Sequence, residues 1–413
     1  MTGGGPFGGD PFGGMPFLGD LFKMVQQQGP VAWDAAEQLA LAVATDGQPE
    51  PNVDPLERIR LEQLGRVAEL QITTVTGLDT TVGSRAVEIV PVTRTRWVTD
   101  TIAAWQPFFS KLAEALGPPS GTTEPGDPGG PPAGSSMHPT MFDAGGDDAE
   151  PWLANMLQAL SPMLLGMTAG SMVGHLAKRS FGVYDLPVPR PATHEVAVVP
   201  ATIDAFAVEW SIDGDDLRLW VLLHELTHHA VLQVPHVRAR LAGLLAEHAA
   251  GFHPDPTSFQ DRLGELDPTQ LEADGGMGQL FGDPEMLLGA VQSPEQRALL
   301  PQLEAIVAVI VGYVDHVMDH IGTSLIASYG MVTEAMRRRR VEAADADRFV
   351  ERLLGLHLTQ DRYDRAAAFA DGVAERAGFA AFDRLWSSER NLPTPAEVDA
   401  PGLWLARIDL PGV

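Results

Sequence analysis

His224, Glu225 and His228 are the residues whose types and spacing point most directly to chemistry, because with Leu226 and Thr227 they spell HExxH. Histidines four apart lie one above the other on a helix, so both imidazoles reach one ion, and imidazole is a standard zinc donor. Glu225 follows the first histidine and is placed to take a proton from a metal-bound water rather than to ligate. The chemistry expected of such a set is hydrolysis of an amide.

The element that must carry these groups is a helix. Residues 217–233 contain neither proline nor glycine, and Leu219, Leu222, Leu223 and Leu226 recur at helical spacing. Asp213, Asp215 and Asp216 precede the run, where the positive end of a helix dipole favours acids, and Pro235 lies just past its end. A catalytic zinc normally has three protein ligands and one open position. A histidine continuation of the motif is excluded, because Val231 and Val234 stand at the seventh and tenth places after His224. His229 is turned about 100° from His228 around the helix, which predicts a surface position or one behind a ligand. His236 falls beyond Pro235.

A second helix is predicted over residues 303–321, apolar except for Glu304, Asp315, His316, Asp319 and His320. Ionisable groups on a buried helix require partners or a metal, so Asp315 is a third ligand or a partner of a ligating histidine, or else a salt-bridged or solvent-facing acid. His316 and His320 are expected on the polar flank of an amphipathic helix rather than as a second metal pair. The candidate site is therefore Glu225 as base with His224, His228 and Asp315 as ligands to zinc; two histidines and one carboxylate would also suit non-haem iron, a more distant reading.

Several segments besides HExxH carry a resemblance: 14–17 (Gly-Met-Pro-Phe), 26–30, 184–187 (Tyr-Asp-Leu-Pro), 219–228, 312–316 (Gly-Tyr-Val-Asp-His), 353–356 and 391–397. In this order they resemble the actinobacterial zincin-like metallopeptidases of the type 2 family, whose sister group is associated with deazaflavin-coenzyme biosynthesis. The resemblance implies a mainly α zincin-like domain with a minor β element, bound zinc and peptide hydrolysis. It also implies a ligating glutamate immediately before the Gly-Tyr pair, where this chain has Val311, and an acid four residues later, which is Asp315. Arg362 and Tyr363 match a polar spot that would bind substrate or stabilise an oxyanion, or else be structural. A catalytically impaired zincin-like protein, using its cleft for metal binding or protein interaction, is the alternative.

Composition bounds the rest. With a net charge of −27 over 413 residues, nucleic acid is not an expected partner; a peptide or protein substrate is. The basic run Arg337 to Arg340 reads as a solvated helix end near Glu342. No cysteine is present, so ligation falls to histidine and carboxylate. Residues 1–20 form a Gly/Phe-rich tail without the pattern of a secretory signal, residues 21–117 a helical part, 118–150 a flexible Gly/Pro-rich insertion and 151–413 the metal-binding part. A cytoplasmic location is expected. Helical spacing recurs at 56–71, 98–116, 343–356 and 362–377, and residues 194–200 read as a short strand that could hold extended substrate by its edge. Residues 153–177 carry no formal charge, yet their polar residues and Pro162 favour two short buried helices over a membrane span. Their glycines at 166, 170 and 174 would then pack on the metal-binding helix.

Overall fold

The computed structural model describes residues 29–116, 149–252, 293–342 and 345–410. The expected tail at 1–20 and nearly all of the insertion at 118–150 lie outside them. Among the described residues the architecture is mainly α, with one small sheet.

α1 (Trp33–Thr45), α2 (Pro55–Thr76), β1 (Glu88–Pro91) and α3 (Arg94–Leu116) form the first half. α4 (Ala149–Arg179), β2 (Glu195–Val198), α5 (Pro200–Trp210), α6 (Gly214–Gln233) and α7 (Pro235–Ala250) follow. α8 (Pro294–Leu325), α9 (Tyr329–Val341), α10 (Asp345–Leu353) and α11 (Gln360–Ala377) come next, and short helical turns close the chain, with Trp404 fully buried and its indole N–H donated to the Asn391 carbonyl at 2.6 Å. β1 and β2 pair in parallel from Glu88 opposite Glu195 to Pro91 opposite Val198. The far edge of β2 is closed at its end by an antiparallel bridge from Gly182 to Val198, so the strand expected to offer an edge to substrate has lost part of it.

α6 begins where the sequence places its signals: the Asp213 carboxylate accepts the backbone N–H groups of Asp215 and Asp216, satisfying donors that the first turn leaves free. Every residue from Leu217 to Leu232 is buried, so α6 is the axis of the molecule rather than an amphipathic surface helix. Even Arg218 is enclosed, and it pairs with Glu57 of α2 and Asp204 of α5. α8 packs across α6, capped by a reciprocal Ser293 and Gln296 box. It is long and apolar enough to cross a membrane, but 61% of its most apolar window is buried within the protein, as in a core helix. Gly312 lets α11 come close, since a Cβ there would strike the Ala366 carbonyl.

Two expectations are corrected at α4. It is one continuous helix of 31 residues with Pro162 inside, not two short ones. The Pro162 carbonyl accepts the N–H of Ala32 at 2.9 Å, and α1 braces the helix along its length. The glycine stripe faces α1 rather than the metal-binding helix: a Cβ at Gly166, Gly170 or Gly174 would meet the backbone of Ala32, Ala36 or Ala40. The expected helices at 343–356 and 362–377 are α10 and α11, with the first cut short at Leu353.

Candidate metal centre

On α6 the His224 and His228 rings stand 4.3 Å apart, centre to centre. Each is held by an aromatic plane: Trp220, one turn before His224, stacks on it at 5.1 Å, and Tyr184 stacks on His228 at 6.3 Å. His228 Nδ1 lies 3.1 Å from the His224 carbonyl, which can only accept, so the proton sits on Nδ1 and Nε2 keeps its lone pair. Burial lowers His224 to about 4 and His228 well below the usual imidazole value, aided at His228 by its neighbour. Both rings are neutral near pH 7, as ligands must be.

Glu225 is fully buried beneath the segment after α4. Its Oε2 accepts the backbone N–H groups of Val183 and Tyr184 at 2.8 and 2.9 Å, while Oε1 has no hydrogen-bond partner and lies 3.6 Å from His224 Nδ1. Burial, with a smaller push from Asp185, raises this carboxyl to about 8 against the stabilising effect of the two amides. Gly182 makes the arrangement possible, because a Cβ there would fall on the Glu225 carboxylate.

The histidines open on a cleft of about 790 Å³, mouth included, whose walls also carry Val311, Asp315, Arg340 and Tyr363. Asp315, carried by α8, thus lines the same cleft as the two histidines. Both of its oxygens, however, are taken by the Arg340 guanidinium at 2.8 Å, and that guanidinium lies 4.5 Å over the Tyr363 ring. Burial opposes ionisation of Asp315, but Arg340 outweighs it and holds the carboxyl below its ordinary range. Val311, where the resemblance implied a glutamate, contributes only a methyl surface to the cleft wall.

Other sequence-based expectations change here. The basic run is not simply a solvated helix end: Arg337 and Arg338 pair with Glu334 at the surface, whereas Arg339 and Arg340 turn inward along the next stretch of α9. Arg339 binds Asp185 at 3.0 Å and covers the Phe181 ring at 4.1 Å. His229 is fully buried, with Nδ1 3.1 Å from the Tyr184 hydroxyl, so it supports the ring that stacks on His228. His316 and His320 pack against Phe379, and His316 Nδ1 lies 3.8 Å from Asp371. Arg362 is drawn off to Glu304, while Tyr363 reaches the cleft. Sequence reasoning assigned no site role to Trp220, Tyr184 or Arg340; the one available signal was Trp220 standing four residues before His224.

Zinc is the ion that the motif implies, and the donor set can be tested for it. Two neutral imidazoles fit, that of His228 with its lone pair fixed on Nε2, and an unpartnered buried carboxylate oxygen lies beside them. Asp315 lines the same cleft, with its carboxylate held by Arg340. Among the described residues no three His, Asp or Glu side chains are already gathered as a metal-binding group.

Comparison with known proteins bears on the family. A crystal structure of a proposed hydrolase with a novel fold from Chloroflexus aurantiacus is similar over 92% of this chain and 100% of that one, with a TM-score of 0.57 and 23% identity, which shows the shared fold. No curated protein matches significantly. Residues 31–405 match the zincin-like metallopeptidase family, a span that takes in the HExxH helix, α8 and the α9 arginines together. The chain belongs to the zincin-like metallopeptidases.

Proposed function

We propose that the protein is a zinc-dependent hydrolase of amide bonds in a peptide or protein. His224 and His228 are its imidazole ligands, Asp315 the third ligand after exchange of Arg340, and Glu225 the base. The observation that carries this reading is the neutral imidazole pair opening on a cleft with the free Glu225 Oε1 3.6 Å from one ring. Bound zinc supplies carbonyl polarisation and lowers the pKa of a bound water toward about 7.

The remaining roles fall to the chain's own groups. Oε1 of Glu225 accepts the proton as water oxygen bonds to the carbonyl carbon, and the same proton passes to the leaving nitrogen as the C–N bond breaks. The Val183 and Tyr184 amides fix Oε2, so the carboxylate is oriented before substrate arrives. Its elevated proton affinity suits a group that must both take and return a proton near neutral pH. Arg340 and Tyr363, at the same cleft, are the donors available to a developing oxyanion. Glu225→Gln is expected to retain metal and lose turnover of peptide libraries by at least about 100-fold; undiminished turnover would remove Glu225 from the mechanism.

Val311 on the cleft wall and the Asp315–Arg340 pair favour one second reading, an impaired relative that uses the cleft for metal or protein binding. Wild-type protein without turnover, and a Val311→Glu variant that acquires it, would select that reading.

A further inference from the structure

Among the described residues, eight large apolar side chains are exposed, and four of them lie on α2: Leu56 at 72%, Ile59 at 52%, Val67 at 41% and Leu70 at 64%. The opposite side of this helix, Leu61, Gly65, Ala68, Ile72 and Thr76, is buried against the body. At 100° per residue the four exposed residues and Gln63 fall within an arc of about 80°. Isolated exposed leucines need no explanation, but four apolar residues aligned on one face over about four turns of helix do.

The spacing of the stripe identifies what covers it. Measured from Gln63, the apolar residues stand at −7, −4, +4 and +7, a pattern that reads identically in both directions. Two antiparallel copies related by a two-fold axis at Gln63 set Leu56 against Leu70 and Ile59 against Val67 of the second copy, with the two Gln63 amides facing each other. A two-fold contact must be self-complementary in this way. Charge agrees: Glu62 and Arg66 share one flank, and in an antiparallel pair equal flanks meet, so each Glu62 comes opposite the Arg66 of the other copy, twice over. We propose that α2 is the contact of a homodimer formed by antiparallel packing of this helix on its twin. Two helices paired over the stretch from Leu56 to Leu70 bury at most about 1,000 Å². That is the lower range for a specific contact, so the dimer is reversible at micromolar concentration. The net charge of −27 opposes association, and salt therefore strengthens it.

Sedimentation velocity of the full chain from about 1 to 200 µM tests this, a range that brackets a micromolar contact. A concentration-dependent dimer is expected for the wild type and only monomer for Leu70→Glu, which alters an exposed position and leaves the circular dichroism spectrum unchanged. Because the chain has no cysteine, Gln63→Cys provides a clean cross-link: mild oxidation yields a covalent dimer, while Thr73→Cys, about 80° around the same helix and nearly three turns along it, cross-links at least about tenfold more slowly. A wild type that stays monomeric throughout, as it would if another segment or protein covered the stripe, overturns the proposal. So does a dimer that survives Leu70→Glu with Gln63→Cys no faster than Thr73→Cys.

Discussion

Replacing Arg340 by methionine asks whether Asp315 is held in reserve for a metal. The change removes two N–H···O contacts of 2.8 Å and a guanidinium stacked on Tyr363, while keeping an unbranched apolar stem. The paired side chains are 26% and 32% exposed, so their coupling is discounted below the 3–5 kcal/mol of a fully enclosed pair, to about 2 kcal/mol. A zinc ion that takes Asp315 must first overcome that coupling. Freeing the carboxylate should therefore raise zinc affinity by about 30-fold, at 1.4 kcal/mol per factor of ten. Without zinc the variant should be less stable by about 1–2 kcal/mol, because a partly buried carboxylate has lost its partner. At 100 times Kd, zinc returns about 2.7 kcal/mol. Competition against a chromophoric zinc chelator measures affinity, and thermal unfolding with and without zinc measures stability. If Arg340→Met binds zinc no more tightly than the wild type, and Asp315→Asn binds it no less tightly, Asp315 is a counter-ion and not a ligand.

Metal-free stability should peak near pH 6.5 and fall by about 2–3 kcal/mol by pH 8.5, since the folded state holds Glu351 protonated to about 7 and Glu225 to about 8, whereas the unfolded chain has released both protons. Below pH 6.5 the sign reverses at the buried histidines: His224, His229 and His248, each lowered to about 4 by burial, take up protons only on unfolding, so acid destabilises. Urea unfolding across this range checks both limbs, and Glu225→Gln should flatten the alkaline one. Gly170→Ala, whose Cβ would strike the Ala36 backbone, should destabilise by about 1–3 kcal/mol, whereas Gly243→Ala in α7, with open space around it, should stabilise by up to about 1 kcal/mol. Equal effects at the two glycines in thermal unfolding would argue against the close α1–α4 contact. Gly182→Ala should displace the Glu225 carboxylate and cost more turnover than stability; a melting temperature lowered with turnover intact would contradict the role of this glycine in placing the base.

What the sequence alone determined is local. His224 and His228 share a helix face because four residues make nearly one turn, and Asp213 and Pro235 bound that helix through capping and lost hydrogen bonding. The second helix was equally legible, since its apolar run carries over directly into α8, whose Asp315 lines the same cleft. Tertiary structure decided everything that depends on a partner distant in the chain. Pro162 does not break α4 because α1 packs along it, a contact no local pattern encodes. Arg340 was hidden in a run of four arginines, since a charge run looks the same whether its members face water or an acid such as Asp315, 25 residues away. Glu225 stands out in the motif, yet its burial and the two amides that hold it come from a segment some 40 residues earlier. Spacing along a helix sets which groups share a face, but the identity of the third donor is an energy difference between partners, and only the packed structure brings those partners together.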